Sequence, residues 1–175
     1  MASSALLICI LVMLLRFFII GETNREFLSI LPFVFVRNLS SGMFEEIVFR
    51  GLLMTAMLCY WGNTVKGRLG VLFLNAAIFG MAHIPNGVLT VIFTFFLGFG
   101  FASVYIYSNN LLVIGIIHGI WNTANLIAFG SIANSEIMYD AIFIVTLVLM
   151  VLSVTTLAII TTIKAQPFSQ RMNIS

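Results

Sequence analysis

The 175-residue chain is 61% hydrophobic and only 8% charged, with a mean hydropathy of +1.15 and a formal net charge of +2. Soluble domains are about half apolar and about a quarter charged, so this is the composition of an integral membrane protein and a separate soluble domain is excluded. The basic residues are scattered rather than massed in a block, which argues against nucleic acid as a partner.

The chain opens without a basic n-region or a small-residue cleavage site, so the apolar run at 5–20 reads as a retained first span. Arg16, near its end, can snorkel to the interface. The run at 27–36 is apolar but short and contains Pro32, which predicts a re-entrant or interfacial piece rather than a span. Further spans are expected at 42–61, 69–84, 88–107, 111–129 and 141–163, broken by polar or turn-forming residues at 62–68, 85–87, 108–110 and 130–140. No internal repeat points to an inverted-repeat transporter, and no alternating strands of about ten residues point to a barrel. The fold class is all-α: a polytopic transmembrane helical bundle of about six spans with one short re-entrant or interfacial segment, forming a single domain over 1–175. In that arrangement Lys66, Arg68, Lys164 and Arg171 share one side, which the positive-inside rule makes cytoplasmic. Arg25 and Arg37 fall on the other with Glu22, Glu26, Glu136 and Asp140. Cys9 and Cys59 lie in apolar segments, where a thiol behaves as a small hydrophobe. The Asn-x-Ser triplets at Asn38 and Asn173 carry no weight without a known compartment.

Against this background the stretch Phe44-Glu45-Glu46-Ile47-Val48-Phe49-Arg50-Gly51 stands out. On a helix Glu46 and Arg50 are i, i+4 neighbours and can neutralise each other, whereas Glu45, about 100° away, is spare. An unpaired charge in hydrocarbon costs several kcal/mol, so ionisable groups there are functional by default; a bundle-gluing ion pair near the interface is the plainer alternative. Both histidines of the chain, His83 and His118, also fall in expected spans. A lone intramembrane histidine often serves only as an interhelical hydrogen-bonding residue, but His118 projects together with Asn122 at i+4. Gly115 and Gly119 thin the same helix so that a neighbour's backbone can come close. With Glu45 and Glu46 in the first turns of one helix and His83 in the last turn of the next, these polar groups can converge on one cavity. A carboxylate, two imidazoles and an amide suit hydrolysis: the carboxylate takes a proton from water, and an amide with an imidazole N–H stabilises an oxyanion. Serine or cysteine nucleophile chemistry is less attractive, since neither residue type is placed beside a histidine.

Glu45-Glu46-x-x-x-Arg50, Phe79-x-x-x-His83 and His118-x-x-x-Asn122, in this order, resemble the three-motif signature of the CAAX protease and bacteriocin-processing (CPBP, or Abi) family of intramembrane proteases, which includes the type II CAAX prenyl endopeptidases. The resemblance covers a catalytic core at about 42–129. It implies that Glu45 with His83 activates the hydrolytic water, that His118 and Asn122 form the oxyanion site, and that Glu46 and Arg50 support them. It implies no cofactor if the mechanism is the glutamate-dependent one, and allows zinc held by Glu45, His83 and His118 as the alternative. No His-Glu-x-x-His helix is present, which favours the metal-free form. The chain is shorter than the eukaryotic prenyl proteases, and compact bacterial members are associated with bacteriocin self-immunity and with maturation of secreted peptides. The expected partners are therefore the lipid bilayer and a membrane-associated or exported peptide or small protein, in a bacterial cell membrane. A non-catalytic immunity or peptide-binding protein that keeps the polar pocket is the alternative.

Overall fold

The computed structural model describes residues 25–130 and, nearer the C-terminus, positions 148, 152, 155, 156, 159, 160 and 163–165. The expected span at 5–20, the segment from Glu136 to Asp140 and most of the span at 141–163 lie outside the described residues. What is described is helical, without strands: α1 (Arg25–Glu46), a π-helical segment (Ile47–Met54), α2 (Thr55–Trp61), α3 (Val65–Met81), a 3-10 turn (Ile84–Asn86), α4 (Val88–Ser108) and α5 (Leu111–Gly130).

The first helical path corrects the sequence reading. α1 runs directly into the π segment and on into α2, with right-handed helical φ/ψ at Glu46 and Thr55 on either side. There is no re-entrant piece at 27–36 and no separate span beginning at 42; Glu45 and Glu46 lie deep in a continuous helix rather than in its first turns. The polar residues between the two expected segments are used for contacts. Asn38 is buried and its Nδ2 donates to Thr123 Oγ1 at 3.3 Å, while Ser40 Oγ donates back to the Val36 carbonyl at 2.9 Å. Burial in this contact also closes Asn38 to glycosylation. Pro32 sits inside α1, as transmembrane helices tolerate when neighbouring groups re-satisfy the freed backbone.

The remaining boundaries follow the sequence to within a few residues, except that the expected loop at 62–68 is already helical from Val65, so Lys66 and Arg68 lie in the first turn of α3. Thr64 caps α3 by accepting from the Gly67 N–H at 3.0 Å. Asn109, at φ 49°, closes α4 in the left-handed conformation, and Gly87, at φ 95°, turns the chain into α4. One difference matters: α3 ends at Met81, so His83 lies in the turn beyond it rather than in its last turn.

Two antiparallel pairs build the bundle. α1 and its π extension pack on α5, with Asn38 at Thr123, Gly42 at Gly119 and Gly51 at Leu111. The approach is close enough that a Cβ on Gly119 would lie 2.6 Å from Leu39 Cα and one on Gly42 2.9 Å from Gly119 N. The glycine-thinned face of α5 thus receives α1. α3 packs on α4 in the same way, Gly98 lying against Phe79 and Ala76, and Gly80 against Phe95. One apolar cluster (Leu97, Phe101, Ile114, Trp121) joins α4 to α5. A second (Met54, Leu58, Val71, Leu72, Ala102, Tyr105, Ile106) fills the end near the 62–64 loop.

The polarity of the bundle is inverted relative to a soluble domain. Glu46, Arg50, Asn75, Ser103 and His118 are buried, while Phe33, Phe44, Leu52, Phe73 and Leu112 face outward. Hydrocarbon is the solvent that suits such a surface, and buried polar groups paired with one another suit such an interior. Among the described residues one helical stretch, Thr90–Ser108, is long and apolar enough by itself to cross a bilayer.

Candidate active site

The centre of the site is a single carboxylate oxygen. Glu46 Oε1 accepts from Arg50 Nη1 at 2.9 Å and lies 2.7 Å from His118 Nδ1, with all three side chains buried. The Glu46–Arg50 pairing expected from i, i+4 spacing is present; the link from Glu46 to a histidine 72 residues away is not visible in the sequence. Arg50 Nη2 donates to the Gly98 carbonyl on α4 at 3.0 Å, so the guanidinium ties the π segment to that helix. Phe79 and Phe101 flank the network: Arg50 Cζ lies 4.5 Å from the Phe79 centroid and 5.6 Å from that of Phe101, and the Phe101 and His118 ring centroids are 4.6 Å apart. Aromatic faces replace water around the cation.

Glu45 has different surroundings. Its side chain is 26% exposed, its Oε1 accepts from Ser41 Oγ at 3.2 Å one turn earlier, and its Oε2 lies 3.8 Å from His118 Nε2. Among the described residues no Arg or Lys pairs with it, and it borders a cavity of about 170 Å³ that is also lined by His83, His118 and Asn122. The expected convergence of Glu45, His83, His118 and Asn122 is therefore found in one space, with Glu46 and Arg50 directly behind it. The rest of the wall comes from Phe79, Thr90, Phe93, Thr94, Leu97 and Trp121.

Hydrogen bonding fixes the tautomers. His83 Nδ1 faces the Phe79 carbonyl at 2.9 Å; a carbonyl only accepts, so Nδ1 carries the proton and the neutral ring keeps its lone pair on Nε2. The same logic puts the Nδ1 proton of His118 on the side of Glu46, so Nε2 of His118 is an acceptor in the neutral ring and a donor only in the imidazolium. Asn122, half-buried, lines the cavity and carries an amide that can donate regardless of protonation. The hydroxyls of Thr90 and Thr94 donate to backbone carbonyls one turn back, those of Asn86 and Thr90, at 2.9 and 2.7 Å.

Glu45, His83 and His118, the residues that would hold zinc in the alternative, line this one cavity, although among the described residues no three His, Cys, Asp or Glu side chains are drawn together as a group that could hold a metal ion.

Ser41 and the α4 wall do not stand out in the sequence. Thr90 with Thr94, and Phe93 with Leu97, are i, i+4 pairs in the first turns after the His83 turn, and that spacing is the signal that could have found them.

The chain matches the family model for the type II CAAX prenyl endopeptidases, Rce1-like, over residues 27–124, a stretch that contains every residue of the site from Ser41 to Asn122. It belongs to that family of membrane-embedded proteases. No curated protein and no solved structure matches the chain.

Proposed function

We propose that this protein is an intramembrane endopeptidase that hydrolyses a peptide bond of a membrane-associated or exported peptide, using water activated by Glu45. The observation that carries the reading is the contrast between the two adjacent acids: Glu46 is buried in an ion pair, whereas Glu45, with no Arg or Lys beside it among the described residues, opens on the cavity shared with His83, His118 and Asn122. A water between Glu45 and His83 Nε2 has two acceptors for its protons. As it attacks the scissile carbonyl, Glu45 takes one proton and later delivers it to the leaving amine, so the same carboxyl serves as base and then as acid. The carbonyl oxygen gains charge in that step. Asn122 supplies a neutral donor to it, and His118, held at Nδ1 by Glu46, adds a second N–H from Nε2 whenever its ring is protonated. Peptide maturation and self-immunity against a bacteriocin are the biological settings that a compact member of this family suits, in a bacterial cell membrane crossed about six times.

Purified protein, stripped of metal by chelation and checked by elemental analysis, is incubated with a quenched-fluorescent peptide library in lipid. Cleavage by the wild type, lost with Glu45→Gln, is the expected result. Activity that disappears on chelation and returns with stoichiometric zinc overturns the metal-free mechanism, and cleavage unaffected by Glu45→Gln overturns the assignment of the base.

A further inference from the structure

Asn75, on α3, has no place in the chemistry above, yet it is completely buried. A primary amide in the interior of a membrane bundle is costly unless bonded. Its Nδ2 donates to the Phe49 carbonyl at 2.8 Å, reaching across from α3 to the π-helical segment. The next carbonyl along, that of Arg50, accepts from Thr55 Oγ1 at 2.9 Å, and Tyr105 OH lies 2.8 Å from that same hydroxyl. Two successive carbonyls thus receive side-chain donors. π-helical turns are rare, occur mostly as single-turn bulges inside α-helices and are frequent at functional sites, and side chains inserting into the backbone ladder are a recognised cause of local departures from α-helical geometry.

The position of the segment gives this clamp a consequence. It begins immediately after Glu46 and contains Arg50, so its winding sets the angle about the helix axis at which Arg50 leaves relative to Glu46. Arg50 must reach Glu46 Oε1 on one side and the Gly98 carbonyl on the other, and Glu46 Oε1 is the atom that holds His118 Nδ1. We infer that Asn75 is a positioning residue for this site: by holding the Phe49 carbonyl it fixes the π-helical winding, and through Arg50 and Glu46 it fixes the ring of His118. The structural role stands apart from the peptidase reading; only its effect on turnover rests on that reading.

The chain has two histidines, so selective 15N-histidine labelling in lipid nanodiscs gives one ring signal set for each. Asn75→Leu keeps the size of the side chain and removes the donor. The expected result is a changed Nδ1–H resonance for His118, reporting a weakened bond to Glu46, with His83 unmoved. On the library peptide that the wild type cleaves fastest, kcat should fall by up to about 10²-fold with KM little altered, as for a displaced catalytic group. Thr55→Val, which removes the second donor at a half-buried position, should shift His118 in the same direction by less, and it decides the matter if Asn75→Leu does not accumulate. Unchanged His118 resonances in the variant that folds overturn the inference. So does equal movement of both histidines, which would mean general loosening rather than positioning. If the wild type cleaves no peptide at all, the peptidase reading fails, and the resonances still decide the role of Asn75.

Discussion

Glu45 and Glu46 are chemically identical and one residue apart, and a rotation of about 100° gives them different surroundings. Glu46 turns inward to Arg50 and His118; Glu45 turns to the cavity, steadied by Ser41. Replacement should separate them. Glu46→Gln leaves Arg50 in the bundle without its anionic partner and takes from His118 its charged acceptor, a change of a kind that costs about 3–5 kcal/mol. A clearly lowered midpoint in thermal unfolding in detergent is expected. Glu45→Gln should leave that midpoint nearly unchanged while kcat falls by about 10²-fold or more. Asn122→Ala should likewise leave abundance alone and lower kcat by about 10²–10³-fold, as loss of an oxyanion donor does. Pairing of Glu46 with Arg50 was legible because both partners lie on one helix at a fixed spacing. The bond from Glu46 to His118 was not, because it depends on how two helices rotate against each other, and a single sequence does not state that rotation.

Among the elements, α3, α4 and α5 were legible from apolar length and from turn residues such as Gly87 and Asn109. The path from α1 to α2 was not, for a physical reason: the apolar run at 27–36 is short and holds Pro32, but the helix continues through Asn38, Ser40 and Ser41 because these satisfy themselves on Thr123, Val36 and Glu45 within the bundle. Pattern reading has no signature for the π segment either, since its side-chain donors come from α2 and from α3. A close approach to the Gly115–Gly119 face of α5 was anticipated; that the neighbour is α1, with Gly42 meeting Gly119, requires the structure. Gly119→Ala places a methyl against the Leu39 backbone, which cannot step aside as a side chain would, and should cost about 1–3 kcal/mol. Gly70, also helical, has open space where a methyl would sit, with nothing within 4 Å, so Gly70→Ala should be neutral or stabilise by up to about 1 kcal/mol. Unfolding midpoints of the two variants side by side check the contrast.

On the scale of the whole molecule, the inverted polarity of the bundle was implied by composition, and the described residues have it. The side on which each end lies is a separate matter. Ala165 packs against the cluster of Met54, Leu58, Val71, Leu72, Ala102, Tyr105 and Ile106; whether the tail after Lys164 and the residues at 62–68 share one face of the membrane is open to direct labelling. Lys66→Cys, Ser169→Cys and Asn134→Cys, each in a background lacking Cys9 and Cys59, are to be probed with an impermeant thiol reagent. Lys66→Cys and Ser169→Cys should label from one side and Asn134→Cys from the other. Labelling of Lys66→Cys and Asn134→Cys from the same side removes the six-span arrangement.

The ion pair at the heart of the site also bears on how the chain enters the bilayer during synthesis. Glu46 and Arg50 lie a turn apart on one helix, so they can pair as soon as that helix winds, before Asn75 and the Gly98 carbonyl are present to fix the geometry of the pair. Ser41 likewise serves Glu45 from within the same helix. Asn75, the Gly98 carbonyl and His118 emerge from the ribosome later, in that order, and each adds a contact to a helix already made tolerable to lipid. A pairing that looks like support for catalysis in the finished protein is, earlier in its life, what lets the first of these helices wait in the membrane for the rest.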